Sequence, residues 1–195
     1  KALEELGPIF VKSGQALSVR PDLLPLDIAA ELAKLQDQVP PFAGEEAAAA
    51  PALAFGRPVE EVFAEFERTP LAAASIAQVH AARLPQGQAV VVKVLRPNVA
   101  ALILRHVEVL YAIAALAERY WPEAHRLRPI EDVAEFERTL AVELDLMREA
   151  ANAAQLKRNF AGSELLYVPE VYWDYCRSNV LTIERIFGIQ VDGIE

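Results

Sequence analysis

Lys93 lies in the middle of the apolar run VVVKVL, which spans residues 90–95. An ammonium group in such a strand loses hydration unless a carboxylate holds its charge. In protein kinases a strand lysine of this kind binds nucleotide phosphates and is oriented by a glutamate on a neighbouring helix. The alternative is an edge lysine whose amine extends to water, and four residues alone do not decide between the two.

Three carboxylates occur close together in the segment ELDLMREAAN, residues 143–152. With about 100° between successive residues of a helix, Glu143 borders one apolar stripe, and Asp145 and Glu149 fall on a second apolar side. A helix that is apolar on two sides packs between other elements. We therefore expect Glu143 and Glu149 to need different, buried partners; the alternative is an acidic face in water.

The segment PLAAASIAQVH, Pro70 to His80, precedes the lysine strand, in the place where a kinase carries its glycine-rich loop. It has alanines and Ser75 instead of glycines. Alanine resists positive φ, so this loop cannot fold over phosphates as a glycine loop does. Taken alone, an alanine run indicates packing.

Lys12, Gly14 and Gln15 form a Lys-x-Gly-Gln pattern on a predicted N-terminal helix. Glycine inside a helix costs about 1 kcal/mol relative to alanine, so a close approach at Gly14 is expected. By itself the pattern is short, and a surface lysine is the alternative.

The composition excludes several classes of function. A net charge of −9 and a pI of about 4.9 repel nucleic acid. The single cysteine excludes a disulfide within the chain, and a zinc site would rest on three scattered histidines. We see no signal peptide and expect charged residues to interrupt every apolar stretch before the length of about 18 residues that crosses a bilayer. A soluble domain is therefore expected.

The order of predicted elements is helices, three strands, two long helices and two strands. The strands come from residues 71–95, with a turn at Pro85-Gln86-Gly87, and from the segments EVYWDY and NVLTIERI near the end. The long helices cover about residues 99–120 and 130–160, and shorter helices precede the strands at 44–53 and 59–66. This order predicts an α+β fold with a five-stranded sheet and helices packed on it.

Five segments in this order and spacing together resemble the UbiB family of atypical, protein-kinase-like proteins associated with ubiquinone and other isoprenoid lipids. They are GPIFVKSGQALSVRPDLLP, LAKLQDQVPPF, PLAAASIAQVHAARL, VVVKVLRP and ELDLMREAAN. The resemblance implies a kinase-like N-lobe with an antiparallel sheet in residues 67–195, and a helical extension in residues 1–66. It also implies binding of ATP or ADP with Mg²⁺, and ATPase activity.

The resemblance assigns site residues in two groups. A nucleotide group comprises Ala72, Ala73, Ala74 and Ser75 of the alanine-rich loop, the pair Lys93 and Glu149, and the backbone of Glu184 and Ile186 at the hinge that would meet adenine. A regulatory group comprises Lys12, Gly14 and Gln15 of the K-x-G-Q motif and Glu143 and Asp145 of the E-x-D motif. Glu143 is the expected partner of Lys12.

The sequence departs from a complete kinase. The Asp and Asn of a catalytic loop and the metal-binding Asp of a DFG motif are missing. His125-Arg126-Leu127 lacks the aspartate, and Asp192-Gly193 comes too early after the hinge. We therefore predict no catalytic residue and no metal ligand in this chain, which would form half of a nucleotide site.

The expected partners are quinone-biosynthesis proteins or an isoprenoid lipid, with peripheral attachment to the inner face of a bacterial membrane from the cytoplasm. The rival hypothesis is a non-catalytic, kinase-shaped scaffold that binds lipid or protein.

Overall fold

The computed structural model describes residues 41–121 and 124–188. The K-x-G-Q motif and the predicted N-terminal helix that carries it lie outside these residues. The described residues belong to two compact units. Of the described residues, the sheet unit comprises Ala43–Ala72, Val79–Val94 and residues 145–188, and the helical unit comprises Pro41, Phe42, Ala73–Gln78 and Leu95–Leu144.

The sheet has four strands within the described residues, in the order β1-β2-β3-β4. Their bounds are Glu65–Ala73 for β1, Ala77–Arg83 for β2, Ala89–Leu95 for β3 and Val180–Glu184 for β4. β3 pairs antiparallel with β4, so that Lys93 lies opposite Leu181. The apolar run with one lysine is therefore a central strand, as its pattern predicts.

The predicted turn between β2 and β3 is present. Gly87 has a φ of 97°, a value that side chains with a Cβ rarely adopt. The Gly87 amide donates to the Leu84 carbonyl oxygen at 2.8 Å, and the Leu84 amide donates to the Gln88 carbonyl oxygen at 3.0 Å. The glycine thus lets the chain reverse within the three predicted residues.

The predicted fifth strand, EVYWDY, is reduced to a bridge between Val171 and Ile183. The backbone on either side still pairs with β4, since the Glu184 amide donates to Glu170 and the Tyr172 amide donates to Thr182. The chain then enters a 3₁₀ helix at Trp173–Tyr175. Because this tight turn directs the backbone away from β4, the ladder cannot continue into a strand.

Two helices lie before the sheet in the sheet unit, α1 at Gly44–Phe55 and α2 at Val59–Val62. The helix predicted over residues 59–66 is shorter than expected, because Phe63 is already extended and β1 begins at Glu65. A shared apolar core joins these helices to the strands. Its buried members are Ala48, Val59, Val62, Phe63, Ala82, Leu84, Val90, Val92, Val94 and Val180.

The helical unit contains α3 at Val99–Tyr120, α4 at Ala124–Leu127 and α5 at Pro129–Glu143. Helix α3 packs along α5, and the Tyr111 hydroxyl donates to a Glu137 carboxylate oxygen at 2.8 Å. Helix α6, at Leu146–Asn159, belongs to the sheet unit.

Helix α3 corrects one expectation. By length and composition it could cross a membrane, although the sequence led us to expect no such stretch. Its few charged residues, among them Arg105 and Glu108, are too sparse to exclude a span on these criteria. Length and composition do not by themselves distinguish a membrane span from a helix that packs on another helix, as α3 does on α5.

His80 in β2 makes the stability of the sheet unit depend on pH. Its ring is fully buried and stacks on Phe66 with centroids 5.2 Å apart, and Nδ1 donates to the Glu67 carbonyl oxygen at 2.9 Å. Burial lowers the pKa of His80 below 6.5, against an opposing contribution from the hydrogen bond to Glu67. As the pH falls, His80 is protonated in the unfolded chain at a higher pH than in the folded chain. The free energy of unfolding therefore decreases as the pH drops below about 6.5.

We predict that the free energy of unfolding decreases from pH 7.5 to pH 5.5 more steeply in the wild type than in His80→Gln, which lacks the titrating ring. Urea denaturation at several pH values measures both. The wild-type and variant free energies should converge as the pH falls, and a difference that stays constant would contradict a buried neutral histidine.

Candidate functional site

Lys93 stands on the face of β3 opposite the apolar core. Burial alternates along the strand, and Val90, Val92 and Val94 are fully buried while Val91 and Lys93 are partly exposed. Because successive strand residues point to opposite faces, the lysine avoids the core without leaving the central strand.

The Lys93 ammonium donates to both carboxylate oxygens of Glu149 on α6, at 2.7 and 3.0 Å. The predicted pairing of these two residues is thus confirmed. The expectation of a buried partner is wrong in degree, since the side chains are 31% and 48% exposed. A half-exposed pair is accessible to a ligand and contributes little to stability.

The single helix predicted over residues 130–160 is two helices, α5 and α6, with a break between Glu143 and Leu146. Asp145 causes the new start, because its backbone is extended and its carboxylate accepts a hydrogen bond from the Met147 amide at 3.1 Å. The Leu146 amide donates to the Ser178 carbonyl oxygen at 2.9 Å, outside the helix. The helical-wheel comparison across this break therefore does not apply.

Glu143 and Asp145 of the E-x-D motif consequently differ in role. Glu143 ends α5 in the helical unit, and one of its carboxylate oxygens is inaccessible to solvent. Asp145 begins α6 in the sheet unit as its N-cap. The partner predicted for Glu143, Lys12, lies outside the described residues with Gly14 and Gln15, so that pairing stays a prediction.

The alanine-rich loop is a tight connection between β1 and β2. Ala72 and Ala73 end β1, and the Ala74 amide closes the turn by donating to the Ala77 carbonyl oxygen at 2.8 Å. Ser75 inside this turn is buried.

Arg96, which follows β3, holds this turn within the helical unit. Its amide donates to the Ile76 carbonyl oxygen at 2.8 Å, and its guanidinium donates to the Ala74 carbonyl oxygen at 3.3 and 3.4 Å. The guanidinium also lies over the Phe42 ring, and burial lowers the pKa of Arg96. A turn fixed in this way is rigid, unlike a glycine-rich loop.

The predicted hinge follows β4. Glu184 is the last residue of that strand, the Arg185 amide donates to the Ala89 carbonyl oxygen at 3.1 Å, and Ile186 is 50% exposed. The hydroxyl of Tyr167 donates to Glu184, and together with the Glu170 amide it holds the pKa of the Glu184 carboxyl below its usual value. The Glu184 side chain is thus occupied in a local network.

Sequence reasoning missed Arg96 and Tyr167. The signal for Arg96 was its position directly after the lysine strand and before Pro97, where a side chain can reach back to the preceding turn. Tyr167 gave no signal, because its partner Glu184 is distant in sequence. Within the described ranges, no group of three or more His, Cys, Asp or Glu side chains is placed to hold a metal.

Residues 34–195 match the family described as the ABC1 atypical kinase-like domain. A relative named probable protein kinase UbiB, from Pseudomonas paraeruginosa, is 59% identical over 194 residues, which cover 100% of this chain and 36% of the relative. The protein of the same name from Marinobacter nauticus is 56% identical, over 99% of this chain and 35% of the relative. This chain therefore spans about a third of these relatives.

A solved structure of Rv3197 from Mycobacterium tuberculosis with erythromycin is also similar. Its TM-score is 0.65 at 27% identity, and the match covers 90% of this chain and 44% of that one. The similarity supports a kinase-like α+β fold. In residues 41–121 and 124–188 the sheet has four strands where five were expected.

Two substitutions separate the capping role of Asp145 from its charge. We expect Asp145→Ala to lower the free energy of unfolding by about 1 kcal/mol, because the Met147 amide loses its acceptor, and Asp145→Asn to change it little. Urea denaturation followed by circular dichroism measures both. Equal losses in the two variants would mean that the carboxylate charge matters more than the cap.

For the strand lysine we expect Lys93→Met to change the free energy of unfolding by less than about 1 kcal/mol, since the pair is half-exposed. The matched control, Val92→Ala, should cost about 2 kcal/mol because it removes two fully buried methyl groups from the adjacent position. A larger loss for the lysine variant in chemical denaturation would assign the pair to structure instead of ligand binding.

Proposed function

Because this chain belongs to the ABC1 atypical kinase-like family, as a UbiB-type member, we propose that it forms the nucleotide-binding N-lobe of an atypical kinase or ATPase. The nucleotide is ATP or ADP with Mg²⁺. The chain supplies the phosphate-binding lysine, its glutamate and the hinge. The other residues that bind the nucleotide and Mg²⁺ would lie outside this sequence. The relatives of this chain are about three times as long.

The observation that carries the proposal is the contact between Lys93 and Glu149. A lysine is a compact, strongly hydrated charge that suits phosphate oxygens. Free in water, its flexible stem would sample many rotamers, and the two hydrogen bonds that Lys93 donates to Glu149 reduce that freedom before a ligand arrives. Because both side chains are partly exposed, the ammonium can also donate a hydrogen bond to a phosphate oxygen.

The hinge has a defined part in this proposal. The backbone of Glu184 and Ile186 would hydrogen-bond adenine, while the Glu184 carboxylate is held by Tyr167 and so stays away from the base. In the alanine-rich turn, residues 72–75 would contact the nucleotide as a rigid element fixed by Arg96.

We further propose that residues 1–66 form a regulatory extension of the lobe in residues 67–195. There Lys12, Gly14 and Gln15 would limit access by protein substrates, with Glu143 as the partner of Lys12. The intact protein would support ubiquinone or other isoprenoid-lipid synthesis from the cytoplasmic face of the inner membrane.

One observation favours the rival hypothesis, a non-catalytic scaffold. Helix α3 exposes an apolar stripe in the described structure: Leu102, Val109, Ile113, Leu116 and Tyr120 are each at least 39% exposed. These residues lie within about 60° of one another around the helix. A surface of this kind is suited to binding a lipid or a protein.

Nucleotide titration of this chain and of the full-length protein, with and without Mg²⁺, tests the proposal. We expect weak or absent binding by the chain alone, since half of the phosphate contacts and all metal ligands are missing, and Mg²⁺-dependent binding by the full-length protein. Binding by neither would favour the scaffold.

In the full-length protein Lys93→Met should lower kcat/KM for ATP hydrolysis about 10- to 100-fold, the effect of one charge-assisted hydrogen bond. Arg68→Met is the matched control, because it removes an exposed cation of β1 that pairs with the exposed Glu60, away from Lys93 in sequence and strand. Normal ATP hydrolysis by the Lys93 variant would refute the assignment.

A further inference from the structure

Helix α6, which carries Glu149, has its buried residues at one end. Its buried residues are Leu146 and Ala150, both in the first half. From Ala151 to Asn159 every side chain is partly or fully exposed. Since 14 residues extend over about 21 Å, packing at one end leaves the direction and the rotation of the helix weakly determined.

The rotation of α6 about its own axis matters for Glu149. With about 100° between successive residues, Leu146, Ala150 and Lys157 share one face within about 40°, and Glu149 lies about 60–100° away from them. Glu149 therefore projects sideways from the face that packs on the sheet unit. A modest roll of the helix would move its carboxylate from Lys93 even if the packed end stayed in place.

A polar contact takes the place of packing at the far end of the same face. The Lys157 ammonium pairs with a Glu170 carboxylate oxygen at 2.8 Å and donates to the Val168 carbonyl oxygen at 3.2 Å. The hydrogen bond to Glu170 raises the pKa of Lys157. Lys157 thereby ties the exposed half of α6 to the segment that runs beside β4.

This segment is itself fixed to the sheet through Glu184. The Tyr167 hydroxyl donates to both Glu184 oxygens at 2.8 and 2.7 Å, and the Glu170 amide donates to Glu184 at 3.1 Å. The Lys157 ammonium also lies 5.6 Å from the centre of the Tyr167 ring. A chain of polar contacts through Lys157, Glu170, Tyr167 and Glu184 thus connects the end of α6 to the last residue of β4.

We propose that this network, Lys157, Glu170, Tyr167 and Glu184, sets the rotation of α6 and so keeps Glu149 on Lys93. Lys157 and Tyr167 are positioning residues that act through Glu149. Glu184 is also the last residue of β4, where the proposed hinge begins. The same network therefore links the hinge, which would bind adenine, to Lys93, which would bind the phosphates. The consequence for nucleotide chemistry rests on the function proposed above; the consequence for the Lys93–Glu149 contact does not.

The contact itself is tested in this chain by the rate at which acetic anhydride labels Lys93, measured by mass spectrometry against the other lysines. The amine must leave Glu149 before it reacts. Tyr167→Phe and Lys157→Met should raise the Lys93 rate about three- to tenfold, toward that of Glu149→Gln. Arg158→Met is the matched control, because its exposed guanidinium bonds only Gln155 among the described contacts, and it should leave the rate unchanged.

A double-mutant cycle, measured by kcat for ATP hydrolysis in the full-length protein, tests the link to function. Tyr167→Phe should lower kcat for ATP hydrolysis about three- to tenfold in the wild type and have no effect in the Lys93→Met background, because the lysine that it positions is gone. The proposal would be overturned if Tyr167→Phe lowered kcat equally in the wild type and in Lys93→Met. It would also be overturned if Lys93 were labelled at the wild-type rate in both Tyr167→Phe and Lys157→Met. If ATP hydrolysis does not depend on Lys93, the proposed function fails, and the labelling result still decides the positioning role.

Discussion

A single ion pair, between the ammonium of a central strand and a carboxylate on helix α6, imposes the main constraint on this molecule. For Lys93 to meet Glu149, β3 must present the lysine on the face away from its valine core, and α6 must lie against that face. The pair is half-exposed, so its net contribution to folding is small. Its geometry therefore has to be maintained by other interactions, namely the core behind β3, the cap of α6 and the contacts along β4.

The break before α6 serves that constraint. A continuous helix over residues 130–160 would fix the direction of Glu149 by the direction of α5. Helix α5 ends at Glu143, and α6 starts with its own support, which is the Asp145 cap and the hydrogen bond from the Leu146 amide to Ser178. The two carboxylates of the E-x-D motif thereby belong to different units. The motif is thus also a structural boundary.

The other parts of the candidate site are rigid in a similar way. The alanine-rich turn is closed by its own backbone and held by Arg96, which removes the flexibility that a glycine-rich loop would have. At the hinge, Tyr167 occupies the Glu184 carboxylate. Both arrangements use a side chain that hydrogen-bonds a neighbouring segment, so that positions expected to contact nucleotide are fixed before a ligand binds.

The sequence by itself determined the α+β class, the turn at Gly87, the central position of β3 and the pairing of Lys93 with Glu149. Each of these follows from a local pattern, such as a turn signal or an apolar run, or from the combined motifs that resemble one family. Only the tertiary structure decided that the fifth strand shrinks to one bridge and that the long helix is interrupted. It also decided that Arg96 hydrogen-bonds the alanine-rich turn, that Lys157 pairs with Glu170 and that Tyr167 hydrogen-bonds Glu184. These outcomes depend on hydrogen bonds between residues far apart in sequence, such as Leu146 with Ser178, and periodicity within a segment carries no information about such partners.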